Sequence, residues 1–222
     1  MPLATQRHAH MEDPGAVFLD RVTGYWERFG RLTLGALGVL AAAGLVGFFT
    51  LRARAAAENE AAAQLTEANF FFWQGEYTRS LQVAKQVSEQ FPSTWSGVDA
   101  LRLAGDDAFW KGDWKGAVDY YRRYLAKNRS GLVSDATRRA YAYALESDGQ
   151  LQPAADQFDA LVGKFDRESS AEFLMAAARC QRGLGRPDEA VKRLQRVLDE
   201  FGESSYASTA RIRLGELRPS AP

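Results

Sequence analysis

The chain of 222 residues is 46% hydrophobic and 12% aromatic, which is enough apolar material for a sizeable core and excludes a chain disordered by composition. Its 28 Lys and Arg side chains balance 28 Asp and Glu side chains, so no basic field exists to hold a polyanion, and we expect no nucleic-acid binding. The single cysteine, Cys180, excludes an internal disulfide. The only two histidines, His8 and His10, lie near the N-terminus, which excludes histidine catalysis further along the chain.

Residues 1–31 are predicted to form a tail with an amphipathic segment next to a membrane. Apolar side chains recur there at steps of three and four residues, with charged side chains between them, at Val17, Phe18, Val22, Tyr25, Trp26 and Phe29. Two roles stay open for this segment. It suits an interfacial lead-in, because Tyr and Trp favour the headgroup boundary, and it also suits a docking surface for a membrane partner.

The next predicted element is a transmembrane helix over residues 32–51. The run from Leu32 to Leu51 carries no charge, and at about 1.5 Å per residue its helix would cross about 30 Å, the thickness of a hydrocarbon core. Four arginines precede the run, whereas only Arg52 and Arg54 follow it closely, so the excess of positive charge predicts a cytoplasmic N-terminus.

A cleaved signal peptide is the competing interpretation of the apolar run. Ala53-Arg54-Ala55 has the small-x-small form of a cleavage site. However, the run is longer than the roughly 7 to 15 apolar residues of a signal, a long segment precedes it, and arginine occupies the cleavage zone. We therefore expect the helix to remain as an anchor.

Four glycines, Gly75, Gly112, Gly149 and Gly185, stand 37, 37 and 36 residues apart and organise the rest of the chain. A small residue lies seven positions before each glycine, and small or apolar residues follow at offsets of five, nine and twelve, which are close to multiples of a helical turn. The column at minus seven holds Ala68, Gly105, Ala142 and Ala178, and the column at plus nine holds Ala84, Tyr121, Phe158 and Leu194. Each unit is therefore predicted to be a helical hairpin with the glycine in its turn.

This spacing, with an aromatic residue two positions after the glycine at Tyr77 and Trp114, resembles the tetratricopeptide repeat, although the period exceeds the usual 34 residues. The resemblance covers residues 58–217 and implies an all-α solenoid of about four hairpins, with a C-terminal capping helix that ends near Leu217 and one transmembrane helix before it. We assign residues 52–217 to the repeat domain and residues 218–222 to a flexible C-terminus. The alternative is an ordinary helical bundle punctuated by glycines.

Helix starts are predicted from residues that can cap a helix. After Phe91 and Pro92, the second hairpin is expected to begin at Ser93 or Thr94. The later starts are expected at Ser130, at Ser169 or Ser170, and at Ser204 or Ser205.

In tetratricopeptide arrays the first helices line a concave face, and by alignment its outward positions are ten, six and three residues before each glycine. The resemblance thus implies a protein-binding groove, in which Met175 completes one row and the other members are Leu65, Asn69, Phe72, Arg102, Asp106, Phe109, Arg139, Tyr143, Glu146, Arg179 and Arg182. Aromatic and guanidinium groups together suit an extended or unfolded polypeptide. The alternative is a solvated face whose arginines pair with Asp106 and Glu146.

Several other site types are disfavoured by the sequence. Domains that grip the C-terminal carboxylates of chaperones use Lys and Asn at fixed positions, but Leu65 stands where the Lys is expected. The adjacent Asp106 and Asp107 would point about 100° apart on a helix, so they cannot act as paired catalytic carboxylates. Cys180 is predicted to be a buried small hydrophobe. We predict no enzyme activity, no cofactor, no metal and no small-molecule substrate.

The layout as a whole resembles the YfgM-like family, the ancillary subunits of the bacterial Sec translocon. The local match is Tyr25-Trp26-Glu27-Arg28-Phe29-Gly30-Arg31 before a span rich in Gly, Ala, Leu and Val. The resemblance implies a single-pass protein of the inner membrane with periplasmic repeats, whose partners are translocon subunits, periplasmic chaperones or unfolded clients. The loops at Phe91-Pro92-Ser93 and Phe201-Gly202-Glu203-Ser204 also resemble periplasmic proteins that organise outer-membrane and cell-envelope assembly. A self-assembling structural protein is a third alternative.

Overall fold

The computed structural model describes residues 14–217, and every regular element within that range is an α-helix. The tail to residue 13, with His8 and His10, and the C-terminal segment 218–222, for which flexibility is predicted, lie outside the described residues. The helices are α1 (Pro14–Trp73), α2 (Tyr77–Gln90), α3 (Trp95–Trp110), α4 (Trp114–Lys127), α5 (Leu132–Ser147), α6 (Leu151–Leu161), α7 (Arg167–Gly183), α8 (Pro187–Phe201) and α9 (Tyr206–Leu217).

The chain divides into two compact units, Met1–Ala55 and Ala56–Pro222. In the described part of the first unit, α1 is long and apolar enough to cross a membrane, and its most apolar stretch is not buried by any other part of the fold. Phe18, Tyr25 and Trp26 of the amphipathic segment are exposed as well.

The second unit is a stack of helical hairpins. Residues 56–73 of α1 pair with α2, and the three following pairs are α3 with α4, α5 with α6, and α7 with α8; α9 packs on α7 and α8. Each helix contacts the next one along the chain, as expected for a solenoid in which every repeat buries its apolar face against its neighbours. The predicted solenoid of four hairpins with a capping helix is confirmed, and the bundle alternative is not.

The four turn glycines end the first helix of each hairpin in the same way. Their φ angles lie between +71° and +78°, the left-handed region that glycine adopts without steric cost. At the first turn the amide of Gly75 donates to the carbonyl of Phe72 at 2.9 Å, and the amide of Glu76 donates to the carbonyl of Phe71 at 3.0 Å. These two bonds define a Schellman motif, and the other three turns repeat them.

The start of α3 is capped as predicted, whereas two later helices are capped differently. Thr94 Oγ1 accepts a hydrogen bond from the amide of Gly97 at 2.9 Å. The prediction of Ser130 for α5 was wrong, because Gly131 holds the cap position with a φ of +109° and no side chain caps this helix. The prediction of Ser169 or Ser170 for α7 was also wrong. Asp166 already supplies the capping oxygen, which places both serines inside the helix.

The core follows the predicted residue columns. The residues nine positions after each glycine are at most 3% exposed, and the small column at minus seven is buried as well. Gly105 shows why that column must be small, because a Cβ atom there would lie 2.5 Å from the ring of Tyr121. In this hairpin the two helices thus approach closely where the small Gly105 of the first faces the large Tyr121 of the second.

Candidate protein-binding groove

The first helices of the hairpins lie side by side and form one surface, which we call the groove face. It comprises the residues that precede the turn glycines by thirteen, ten, six, three and two positions. Direct bonds link α5 and α7 across this surface, since Arg139 Nη2 lies 2.8 Å from Glu172 Oε2 and Arg179 Nε lies 2.5 Å from Glu146 Oε1. The structure therefore brings the predicted rows together between neighbouring repeats.

The N-terminal end of the groove face is aromatic. The predicted Phe72 and Phe109 are half-buried, but the tryptophans that follow them are open to solvent, with Trp73 82% exposed and Trp110 62% exposed. Tyr77 links the two repeats, because its ring contacts Phe72 at 5.5 Å and stacks on Trp110 at 6.1 Å. Neither tryptophan was predicted as a groove residue, although both lie two positions before a turn glycine.

Two predicted groove residues at this end make contacts within their own hairpin. Leu65 is buried in the core of the first hairpin, only 8% exposed. The amide group of Asn69 donates to the carbonyl of Leu65 at 2.9 Å. Phe72, Phe109 and the two tryptophans therefore supply the contact surface of this region.

Arg102 is held by two carboxylates. Its Nε and Nη2 donate to Asp99 at 2.7 and 2.9 Å, and its Nη1 donates to Asp106 Oδ2 at 3.0 Å. The other oxygen of Asp106 accepts from the hydroxyl of Tyr121 at 2.7 Å. Burial raises the pKa of Asp106, while the Tyr121 hydroxyl and the Arg102 guanidinium oppose this shift. The pair between an arginine and Asp106, which the alternative of a solvated face expects, is present, and the side chain of Arg102 is 27% exposed.

The C-terminal half of the groove face is charged, and ion pairs and hydrogen bonds link its neighbouring repeats. Both Arg139 and the hydroxyl of Tyr143 donate to the carboxylate of Glu172. Burial, and then the hydrogen bond to Glu172, raise the pKa of Tyr143, so its hydroxyl stays protonated as a donor. Arg179 forms two bonds to Glu146, which is the other arginine pair that the alternative of a solvated face expects. These pairs fix the side chains but leave the arginines about half exposed.

A cavity of about 250 Å³ lies at the C-terminal end of the groove face, between α7 and α9. Its apolar walls come from Met175, Leu194, Tyr206 and Leu217, and three arginines line it as well, Arg179, Arg182 and Arg213. Of the predicted groove residues, Met175, Arg179 and Arg182 line this cavity. The contribution of α9 was missed, because its sequence lacks the glycine that aligns the other units.

The thiol of Cys180 and the carboxylate of Asp107 are both buried within the repeats. Cys180 is fully buried and burial raises its pKa to about 12, so the thiol is protonated and packs as the predicted small hydrophobe. Asp107 accepts from Ser80 Oγ at 2.7 Å and thus faces a different neighbour from Asp106. Within residues 14–217, no group of three or more His, Cys, Asp or Glu side chains could hold a metal ion.

Comparison with known proteins agrees with this architecture. A tetratricopeptide-repeat family model matches residues 172–204, which is the fourth hairpin. No curated protein matches the chain. The solved structure of nearly identical TPR-like repeats from a kinesin-light-chain-like protein of Podosopora anserina is similar, with a TM-score of 0.57 and 17% identity over 72% of this chain and 86% of that one. A tetratricopeptide repeat protein from Parabacteroides merdae has a TM-score of 0.60 and 15% identity, over 72% of this chain and 60% of that one.

The fold is thus that of a tetratricopeptide-repeat protein. Such repeats imply a role in protein–protein interaction, and this fold is typically a non-catalytic scaffold. The helix that is apolar enough to serve as a membrane anchor precedes the repeats in the chain.

Proposed function

We propose that this protein is a membrane-anchored adaptor that binds polypeptide segments on its groove face. In this proposal the repeats lie in the periplasm of a bacterium and serve the Sec translocon or its chaperone network, as the resemblance to the YfgM-like family suggests. The observation that carries the proposal is the groove face itself. Exposed aromatic rings at one end continue into half-exposed arginines at the other, on helices that neighbouring repeats hold together.

The chemistry of the groove face suits an extended chain. Trp73 and Trp110 offer large apolar surfaces with a polar N–H, which favours contact with apolar side chains of a partner. The arginines can stack on aromatic rings and donate to backbone carbonyls or carboxylates. Because Glu146 and Glu172 already hold two of them in place, little side-chain entropy remains to be lost on binding.

The apolar run, which belongs to the first compact unit of the chain, supports the same proposal as a membrane anchor. The run over residues 32–51 is uncharged and its stretch of α1 is not buried by the fold, which suits contact with lipid. More arginines precede the run than closely follow it, so the tail lies in the cytoplasm and the repeats in the periplasm. Residues 1–31, 32–51 and 52–217 are then tail, anchor and binding domain.

Site-specific photo-crosslinking in intact cells tests this function. A photo-reactive residue at Trp110 or at Arg182 lies on the groove face, whereas one at Arg122 is exposed on α4, a second helix. The proposal predicts that the first two positions trap polypeptides and that Arg122 does not. Equal capture at all three positions, or capture only from residues in the anchor, would refute it.

A further inference from the structure

The cavity between α7 and α9 has the chemistry of a specific subsite. Met175, Tyr206 and Leu217 on its walls are only half-buried, so apolar surface remains there for an entering side chain. Arg182 and Arg213 lie beside these walls, and among residues 14–217 no Asp or Glu lines the cavity itself. An apolar pocket next to guanidinium groups complements an apolar side chain that stands beside a negative charge.

The three arginines of the cavity differ in how closely they are paired with neighbouring carboxylates. Arg179 donates two short bonds to Glu146, and Arg213 lies 2.9 Å from Glu216. Arg182 makes no side-chain hydrogen bond to any residue that the structure describes, and its one ion pair, with Glu216, is long at 3.9 Å. Its side chain is 48% exposed. An incoming carboxylate can therefore bind Arg182 without breaking a hydrogen bond.

The position of the cavity decides between an internal segment and a chain end. Met175, Arg179 and Arg182 belong to the same rows as Arg139, Tyr143 and Glu146, so the cavity continues the groove face. A polypeptide lying along α5 and α7 would pass into the cavity with its chain uninterrupted. The negative charge that reaches Arg182 is then an Asp or Glu side chain.

We propose that this cavity is a specificity subsite for an acidic peptide segment, in which an apolar side chain enters between Met175, Tyr206 and Leu217 and a neighbouring carboxylate binds Arg182. The subsite rests on the proposed adaptor function, since it specifies which segment the groove face selects. A charge-assisted bond of this kind is worth about tenfold to a hundredfold in affinity.

Fluorescence anisotropy with the full chain in detergent tests the subsite. One capped peptide carries Phe next to Glu in a flexible glycine–serine frame, a second carries Gln in place of the Glu, and a third ends in Phe with a free carboxylate. The Glu peptide should bind about tenfold or more tightly than the Gln peptide. Arg182→Gln should reduce that ratio to about one, whereas the matched control Arg211→Gln, on exposed α9 surface outside the cavity, should preserve it.

Several results would overturn the subsite. If Arg182→Gln left the ratio of the Glu-peptide and Gln-peptide affinities unchanged, the carboxylate would not bind Arg182. If the third peptide bound most tightly, the cavity would bind chain ends. If deletion of residues 218–222 strengthened the binding of every peptide, the occupant would be the chain's own segment. If no peptide bound while crosslinkers at Trp110 still trapped polypeptides, the subsite would fail and the adaptor function would stand. Loss of both signals would reject the function itself.

Discussion

Replacing the buried Asp107 with Asn should change how the stability of the repeats depends on pH. Asp107 is fully buried, one of its oxygens accepts from Ser80 at 2.7 Å, and the other has no hydrogen-bond partner among the described residues. Burial raises the pKa of Asp107 to about 7, with a further contribution from the neighbouring carboxylate of Asp106, while Ser80 and Lys111 oppose the shift. The folded chain therefore binds a proton at Asp107 that the unfolded chain releases.

The direction and the size of the pH effect on stability follow from this difference in proton binding between the folded and unfolded chains. Between the unfolded value of 3.8 and the folded value of about 7, the folded state holds more protons, so the free energy of unfolding falls as pH rises. At about 1.4 kcal/mol per unit, the loss from Asp107 approaches about 4 kcal/mol above neutral pH. The favourable contribution of its burial as a neutral group is fully present only below the unfolded pKa.

Urea unfolding of the full chain in detergent, followed by tryptophan fluorescence, measures the effect at about pH 5 and about pH 8. Asp107→Asn should be more stable relative to the natural chain at the higher pH than at the lower, by about 2 to 3 kcal/mol. Other groups cancel in this comparison because both proteins share them. A difference between the two proteins that is the same at both pH values would refute a raised pKa at Asp107.

Three further substitutions probe the fold of the repeats. Tyr121→Phe removes the hydroxyl that bonds Asp106 and should lower the free energy of unfolding by about 1 to 2 kcal/mol in urea titrations, and no loss would mean that water replaces the hydroxyl. Glu58→Gln weakens the carboxylate that accepts from two amides at the start of α3 and should cost about 1 kcal/mol near neutral pH. Because hydrogen bonds at that helix start lower the pKa of Glu58 from its ordinary value of 4.5, the difference should shrink as the pH falls below that value, and a cost that is undiminished in strong acid would contradict this account. Gly149→Ala should destabilise by about 1 to 2 kcal/mol because its φ is +78°, whereas the control Gly215→Ala, inside α9 with open space around it, should be neutral or stabilising by up to about 1 kcal/mol, and equal effects in thermal melts would argue against the left-handed turn.

The groove face illustrates what could be predicted from a single sequence and what could not. The offsets from the turn glycines placed Phe72, Arg102 and Tyr143 on one face of the first helices, because residues at equivalent positions of stacked repeats lie side by side. Which of these residues would be buried or paired with a neighbour could not be predicted. Leu65 stands in the same row as Arg102 but is buried, since the start of the stack packs it into the first hairpin.

The cavity beside α9 depends on contacts that no local pattern encodes. The last helix lacks the repeat glycine, so alignment assigned it only the role of a cap. Its packing against α7 places Tyr206, Arg213 and Leu217 opposite Arg182, and these pairs come from residues far apart in the chain. A shift of one residue in the register of α9 would turn a different face toward the groove.

The sequence by itself determined the repeat architecture, the positions of the turns and the apolar run of α1. Each of these depends on local chemistry: a glycine that can adopt a positive φ, small and large residues at helical spacing, and an absence of charge over residues 32–51. Only the tertiary structure decided that Arg139 pairs with Glu172, that the side chain of Arg182 has no hydrogen-bonding partner among the described residues, and that Asp107 is buried. Burial and ion pairing depend on distances between helices, and those distances exist only once the repeats have stacked.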